Sequence, residues 1–160
     1  NMYYKDEVED KDRIVTGWGA SLSGIWQFAE NTSLCFQGVY GKGISNYIQD
    51  ISGSGLDLVP SATAEGKLKA FNAWGGYIGF SHNWSKVLTS NIMYSYARVL
   101  DRYGMPATSY KYAQYAAANL FWDFSEYGSC AIEYVFGRRN DFNKDYGNAS
   151  RINTMIQYRF

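Results

Sequence analysis

Hydrophobic and polar residues alternate along the last segment of the chain, residues 150–160. The even positions carry Ile152, Thr154, Ile156, Tyr158 and Phe160, and the odd positions carry Arg151, Asn153, Met155, Gln157 and Arg159. Successive side chains of a strand point to opposite faces, so this order gives one apolar, aromatic face and one polar face. A helix would scatter the same residues around its axis. The pattern therefore predicts a β-strand.

The same alternation recurs in six segments upstream. They are Trp18–Phe28, Leu34–Tyr40, Trp74–Trp84, Leu88–Tyr96, Tyr110–Phe124 and Ser129–Arg139. Strands of soluble proteins average about five or six residues, whereas a strand that crosses a bilayer at a tilt needs about 9–11. The sequence therefore predicts an all-β fold, an antiparallel up-and-down transmembrane β-barrel, here an incomplete arc of about seven strands.

The connections between these segments alternate between short and long. The short ones are Ala29–Ser33, Trp84–Val87 and Ser125–Gly128, and the long, polar ones are Tyr4–Lys11, Asn46–Gly66, Asp101–Ser109 and Asn140–Ala149. Outer-membrane barrels have short periplasmic turns and longer extracellular loops, so Phe160 is expected at the periplasmic side. The longest loop, Asn46–Gly66, either folds inward and narrows the pore or caps the outside.

Aromatic residues fall near both ends of the predicted strands, where amphipathic rings favour the headgroup layers of a membrane. The chain has 15 Tyr, 9 Phe and 5 Trp, a high aromatic content for a soluble domain. Arg98 and Arg138 interrupt the apolar register. Both lie at the outer ends of strands, from which long cationic side chains can reach the headgroup zone.

The number of candidate strands bears on the domain organisation. Seven is odd, whereas single-chain bacterial barrels use even numbers of strands, and Tyr3-Tyr4 resemble the end of a further upward strand. An open sheet would leave bare edges in lipid. We therefore expect residues 1–160 to be the C-terminal part of an outer-membrane barrel whose N-terminal strands and signal peptide precede Asn1. The alternative is a barrel shared by several chains.

Composition and charge exclude several functions and leave a barrel open. The mean hydropathy is −0.35, but an alternating strand averages to neutral, so this value does not exclude a barrel. Lys and Arg number 15 against 15 Asp and Glu, so no basic excess indicates nucleic acid. Cys35 and Cys130 lack metal-ligand spacing, and no cofactor or metal is expected. The acidic run Lys5–Arg13 suits Ca²⁺ or cations bridging to lipopolysaccharide, but a solvated turn is the preferred interpretation.

Several stretches resemble the C-terminal region of the DcaP-type porins, in matching order and spacing. They are Gly43–Asp50, Ala73–Phe80, Gln114–Leu120, Glu133–Arg139 and Ala149–Asn153. The resemblance spans the chain from about Arg13 onward. It implies a larger barrel, assembly as a homotrimer, and passive passage of small, often anionic, organic solutes across the outer membrane.

The polar register of the predicted strands supplies the candidate pore lining. Its residues are Lys111, Asn119, Glu133, Arg139, Arg151, Asn153, Gln157 and Arg159, with Asn91 between them. Basic groups outnumber acidic ones, and a low-dielectric wall focuses their field, which favours anionic solutes. Arg139, Arg151 and Glu133 are expected to form a ladder near the upper half of the channel. Alternatively, the charges pair with acidic residues on further strands or on inward loops.

The apolar register of the last strand has a second predicted role. Ile156, Tyr158 and Phe160 resemble the aromatic-ended signal by which such barrels are recognised for assembly. Outer-membrane lipid and lipopolysaccharide are the expected surroundings.

Three other functions compete with a channel. The first is a small, closed structural or adhesive barrel. The second is an outer-membrane lipase, in which His82, the only histidine, would need a serine such as Ser90 on a neighbouring strand. The third is a soluble lipocalin-like barrel. Bond chemistry has no other candidate, since neither a phosphate-binding glycine loop nor a nucleophile elbow is present. The sequence favours the channel over all three.

Overall fold

The computed structural model describes all of residues 1–160, and its regular secondary structure is almost entirely strand. The strands are β1 (Met2–Asp6), β2 (Lys11–Val15), β3 (Trp18–Ala29), β4 (Thr32–Lys42), β5 (Leu58–Pro60), β6 (Leu68–Ala70), β7 (Asn72–Asn83), β8 (Leu88–Val99), β9 (Tyr110–Asp123), β10 (Gly128–Asp141) and β11 (Tyr146–Tyr158). Two short 3-10 helices, Ser45–Tyr47 and Gln49–Ile51, lie between β4 and β5. Neither has the length or the apolar character to cross a membrane.

Seven strands form one antiparallel sheet in the order β11-β10-β9-β8-β7-β4-β3. Each of these strands has 11 to 14 residues. Neighbours in the sheet are also consecutive along the chain, apart from the insertion between β4 and β7. The sheet is open, with β3 and β11 at its edges. The seven predicted strands and the up-and-down order are therefore confirmed, as an arc.

The pairing register separates the side chains of this sheet into two faces. Even-numbered residues of the seven strands share one face, which we call the aromatic face, and odd-numbered residues share the other, the polar face. Tyr110 is the exception, because an irregularity in the pairing of β9 and β10 places it on the polar face. Aromatic rings stack along the loop end of the aromatic face, with Trp74 and Tyr96 at 5.0 Å between ring centroids and Tyr96 and Tyr112 at 5.5 Å. A second group, which includes Phe28 and Phe80, lies at the short-turn end.

The aromatic face leaves large apolar side chains uncovered. Leu22, Ile132 and Ile156 are 72%, 52% and 84% exposed, in strands that otherwise pair fully. A water-soluble barrel buries such residues in its core, and soluble monomers rarely expose apolar patches of this extent. The face is suited to lipid instead.

The structure corrects two of the predicted loop boundaries. The Asn140–Ala149 loop is a four-residue turn, because β10 continues to Asp141 and β11 begins at Tyr146. The Tyr4–Lys11 loop is likewise a turn between β1 and β2. In both places the strands continue with polar side chains on both faces, so the alternation from which strands were predicted is lost while the backbone pairing persists.

The long connection between β4 and β7, residues 43–71, folds back over the polar face, and we call it the inner loop. Its residues Ile44, Ile48, Ile51, Val59 and Phe71 are at most 5% exposed. They pack against strand residues of the polar face, namely Val39, Ala73, Ala97, Val99, Tyr110 and Ala113. This cluster is the main hydrophobic core of the chain. Of the two predicted arrangements of the loop, the structure shows the inward one.

Strands β1 and β2 form a separate hairpin. All four residues of its turn, residues 7–10, have exposed side chains. The carboxylate of Asp6 closes this turn by accepting hydrogen bonds from the amides of Val8 (3.1 Å) and Glu9 (3.2 Å) and pairing with Arg13 Nε (3.3 Å). Leu68 N–H donates to Tyr4 Oη at 3.1 Å, which ties the hairpin to the inner loop. The acidic run is thus an ordered turn.

The hairpin is expected to lose its order in acid. Burial alone raises the pKa of Asp6, but the hydrogen bonds from Glu9, Val8 and Arg13 outweigh it and hold that pKa below its ordinary value of 3.8. A carboxylate with a lowered pKa stabilises the folded state above its ordinary pKa, and the contribution is lost as the pH falls through the folded value. Amide exchange in residues 2–15 should therefore lose protection only below about pH 4.

The variant Asp6→Asn tests the same contact at neutral pH. It should raise hydrogen–deuterium exchange of the hairpin amides severalfold at pH 7, because the charged acceptor is gone. Asp12→Asn is the matched control, since Asp12 is exposed and makes no ion pair. Equal exchange in Asp6→Asn and the native protein would contradict the role of the Asp6 carboxylate.

Candidate functional site

A row of polar side chains crosses the whole sheet on the polar face. Each of the seven strands contributes one residue, and each is the direct register partner of the next. The row runs Gln27, Ser33, Ser81, Asn91, Asn119, Glu133, Asn153 from β3 to β11. We call it the polar row. Side chains opposite each other on neighbouring strands lie about 4.5–5.5 Å apart at Cβ, so the row is a continuous band of hydrogen-bonding groups.

Hydrogen bonds connect the half of this row that lies on β8 to β11. Asn91 Nδ2 donates to Asn119 Oδ1 at 2.8 Å. Asn119 Nδ2 then donates to one oxygen of Glu133 at 3.4 Å, and Asn153 Nδ2 donates to the other at 2.9 Å. The Glu133 carboxylate is therefore held between two amides.

Arg139 and Arg151 do not join Glu133 in the ladder expected from the sequence. Arg151 lies opposite Val135, and Arg139 lies opposite Gly147, so the three residues sit at different levels. Arg139 Nε instead pairs with Asp141 at 2.9 Å. The ladder at this level is built from amides, because Asn119 and Asn153 are the direct register partners of Glu133.

The remaining predicted charges of the polar face differ in whether they are paired. Arg159 pairs with Asp123 at 3.9 Å, close to the short-turn end. Lys111 and Arg151 form no ion pair. Gln157 lies opposite the buried Ser129 on β10. Two of the four basic groups thus have an acidic partner on the same face, and two have none.

The inner loop approaches the polar face where the strands carry small residues. A Cβ at Gly75 would lie 3.1 Å from Ile48 Cγ2, so the glycine gives the loop room. Tyr110 Oη donates to Asp50 Oδ2 at 2.6 Å, which fastens the loop to β9. The Asp57 carboxylate accepts from the Ser45 amide at 2.7 Å and organises the loop internally. The loop is therefore held in a fixed position against the polar face by packing and hydrogen bonds.

Similarity to solved structures was found for one channel protein. The chain matches the crystal structure of the outer membrane channel DcaP of Acinetobacter baumannii with a TM-score of 0.78 and 19% sequence identity. The match covers 99% of this chain and 44% of the channel, so the chain spans less than half of that protein's length. The chain has the fold of a porin-barrel arc. No protein-family model and no curated protein sequence matches it.

The porin-type fold agrees with the resemblance to DcaP-type porins found in the sequence. The agreement extends over nearly the whole chain, and the protein with the similar structure is a channel. At this level of identity the comparison establishes the fold, and the solute, the oligomer and the residues that act on a solute are matters for proposal.

The residues predicted as an assembly signal lie on the aromatic face of this porin-type sheet. Ile156, Tyr158 and Phe160 are all exposed, in or directly after the edge strand β11. Their placement allows a partner to contact them. Their role in assembly stays a prediction.

His82 and Ser90 are register partners on the aromatic face, but they do not form a nucleophile–base pair. His82 Nδ1 lies 2.8 Å from Thr32 Oγ1, and Ser90 Oγ accepts a hydrogen bond from Trp84 Nε1 at 2.9 Å. A lipase-like mechanism needs the histidine to accept the proton of the serine. Both polar groups are used instead to hold strands and a rim tryptophan together. No cluster of three or more His, Cys, Asp or Glu is arranged to hold a metal ion.

Sequence reasoning missed the residues that fasten the inner loop. Asp50, Asp57 and Tyr110 had no predicted role, although their contacts decide where the loop lies. One signal was present: Ile44, Ile48 and Ile51 follow each other at intervals of four and three within a polar loop. That spacing is typical of a short helical face that packs on something.

Proposed function

We propose that this chain forms part of the wall of a passive channel in a bacterial outer membrane, with the aromatic face in lipid and the polar face toward the water-filled lumen. The observation that carries the proposal is the pairing of a fully polar row with an exposed apolar face on the same membrane-length strands. Lipid-facing and lumen-facing residues alternate in this way in membrane barrels. The free edges of β3 and β11 would be closed by further strands, since unpaired edges do not persist in lipid.

The inner loop would narrow the path on the extracellular side, and the polar row would line it below. The loop core covers the upper part of β4, β7, β8 and β9, whereas Asn91 lies only four residues into β8 from its short-turn end. A solute would therefore pass the loop first. It would then exchange hydrogen bonds with water for hydrogen bonds with the amide and hydroxyl groups of the polar row. Such groups can replace hydration without binding tightly, as conduction requires.

The solutes we propose are small, hydrophilic and anionic. The polar face of the seven strands and Arg159 together carry four basic residues (Lys111, Arg139, Arg151, Arg159) against three acidic ones (Asp123, Glu133, Asp141), a net charge of +1. Lys111 and Arg151 are the two without an ion pair, so they supply the attraction. By resemblance to the DcaP-type porins, we further propose a homotrimer surrounded by lipopolysaccharide and outer-membrane lipid.

Planar bilayers provide the direct test. The full-length protein, with the strands that close the sheet, is expected to give discrete ohmic current steps in KCl. Absence of any conductance, from protein whose β-structure is verified by circular dichroism, would rule out the channel.

The charge of Glu133 should oppose anion passage. Glu133→Gln keeps the shape of the side chain and one amide contact but removes the charge, and a unit charge about 10 Å from an ion in water is worth about 0.4 kcal/mol, or roughly twofold. Chloride gains what potassium loses, so the chloride-to-potassium permeability ratio, read from the reversal potential in a KCl gradient, should rise by up to about fourfold. Glu126→Gln, in an exposed turn, is the matched control. Equal ratios in both variants would remove Glu133 from the path.

A further inference from the structure

Three strands that run toward the loop end of the sheet finish with one repeated pattern on the aromatic face. In each, an aromatic residue is followed two positions later by a cation. The pairs are Tyr40 and Lys42 in β4, Tyr96 and Arg98 in β8, and Phe136 and Arg138 in β10. All six positions are even-numbered and so belong to the aromatic face. The cations thus sit just beyond the aromatic rings, at the loop end.

No carboxylate of the seven strands lies on the same face as these cations. The seven strands contain three acidic residues, Asp123, Glu133 and Asp141. All three are odd-numbered and lie on the polar face. Asp101, just beyond the end of β8, accepts a hydrogen bond from Asn72, the register partner of Lys42, and forms no ion pair with either Lys42 or Arg98. Lys42 and Arg98 form no ion pair. A cation turned toward lipid is costly unless it finds an anion. The complementary ligand is therefore an anion supplied from outside the chain.

Arg98 is the least satisfied of the three. It lies between Trp74 and Tyr112, its register partners, and its Nε is buried with no hydrogen-bond partner. A guanidinium carries five N–H donors in a planar fork that matches phosphate oxygens. Arg138, by contrast, lies 4.3 Å from the Tyr146 ring centroid and donates to Asn140. Arg98 therefore has one unused donor, Nε, in an aromatic setting, while its guanidinium also contacts the Tyr96 hydroxyl.

An apolar groove begins directly below Arg98 and Lys42. Gly38 and Gly76 are opposite each other on β4 and β7, and they lie in a shallow, open groove of about 890 Å³. Its walls on the aromatic face are Leu22, Tyr40, Trp74, Ile78, Tyr94 and Tyr96. Tyr40 and Tyr96 are the residues that precede Lys42 and Arg98 in the repeated pattern. Cation and groove therefore form one continuous surface.

Lys42 and Arg98 flank the same part of β7. Lys42 is opposite Asn72 and Arg98 is opposite Trp74, so their Cα atoms are separated by two strand spacings and two residues, about 12 Å. Side chains of this length can reach phosphate groups of one ligand from both sides.

We propose that Arg98, assisted by Lys42, binds the phosphate of an anionic membrane lipid whose acyl chain lies in the groove over Gly38 and Gly76. The proposal rests on the membrane location proposed above, not on conduction. The source of the phosphate is a lipid and not a dissolved anion, because the groove adjoining the cations is apolar and faces the bilayer.

Lipid retention by the purified protein in detergent tests this site. The probes are didecanoyl phosphatidic acid, didecanoyl phosphatidylcholine and inorganic phosphate, with bound lipid counted by native mass spectrometry. Native protein should retain phosphatidic acid in preference to phosphatidylcholine. Arg98→Gln should weaken retention of phosphatidic acid on the order of tenfold, since hydrogen bonds to a charged partner are lost, and Arg98→Lys should recover part of it.

Two controls make the result decisive. Lys86→Gln removes one positive charge from an exposed turn at the opposite end of the sheet, and it should leave retention unchanged. Lys42→Gln gives a second, smaller loss and carries the test if Arg98→Gln fails to fold. Equal retention by Arg98→Gln and native protein, equal retention of phosphatidylcholine, or displacement of the lipid by inorganic phosphate would each overturn the site.

The outcome is separable from that of the channel proposal. Selective retention of phosphatidic acid by a protein that passes no current would support the lipid site while the channel proposal fails. Unselective retention by a conducting protein would overturn the lipid site alone.

Discussion

Replacing Gly75 by valine is expected to detach the inner loop from the polar face and to raise the conductance of the protein. The new Cβ would stand 3.1 Å from Ile48 Cγ2 and 3.5 Å from the Tyr96 carbonyl oxygen, and valine adds two methyl groups beyond it. Overpacking of this kind costs about 1–3 kcal/mol, which shifts the balance between docked and undocked loop by about tenfold. Mean single-channel current and protease cleavage within residues 43–71 should both increase.

Gly137 provides the matched control for this substitution. It also lies on the polar face of a central strand, but a Cβ at this position meets nothing within 4 Å. Gly137→Val should leave cleavage of the inner loop at the native level. If Gly75→Val and Gly137→Val change current and cleavage equally, the loop does not set the width of the path.

Replacing Gly41 by alanine is expected to break the pairing of β3 and β4 near the loop end. A Cβ at Gly41 would overlap the Trp18 carbonyl oxygen and lie 2.6 Å from Gly19 Cα. These are backbone atoms of the partner strand, which cannot turn aside as a side chain can. The loss in the free energy of unfolding should be about 3 kcal/mol or more, measured by urea titration of the protein in lipid vesicles.

The same strand contains the control for this prediction. Gly38→Ala places a methyl group where nothing lies within 4 Å, so its free energy of unfolding should stay close to the native value. A native-like Gly41→Ala variant would mean that β3 and β4 do not approach as closely as the structure shows.

The strands could be predicted because membrane-length alternation is a local signal. In each predicted strand, such as residues 150–160, apolar and polar residues alternate within the strand itself. The porin-type arc was predicted because seven segments show this alternation. The strand ends beside the turns at residues 7–10 and 142–145 were predicted as loops. Strand residues that are polar on both faces pair through their backbones alone, which leaves no pattern in the side chains.

The polar row could not be derived in full, because it depends on register between strands. A slip of one residue moves every side chain to the other face, and a slip of two would replace Asn119 by Ala117 or Phe121 opposite Glu133. The sequence therefore identified which residues lie on the polar face, but not which residues on the adjacent strands lie opposite them. Arg139 was expected beside Glu133 and is instead paired with Asp141.

The inner loop was beyond the sequence for a different reason. Its position follows from contacts between residues far apart along the chain, such as Asp50 with Tyr110 and Ile48 with Gly75. The isoleucine spacing shows that the loop has an apolar face, but not that this face packs on the small side chains of Ala73 and Ala97.

The hairpin of β1 and β2 offers a site at which this protein could be labelled on living cells. Its turn, Glu7 to Asp10, has exposed side chains, pairs with Lys67 of the inner loop through Glu9, and is kept in shape by a carboxylate at its base, so it presents a stable shape rather than a loose tail. An antibody raised to the folded protein would find a defined epitope there. A peptide tag inserted at this tip, far from the polar row, would make the protein visible without occupying its path.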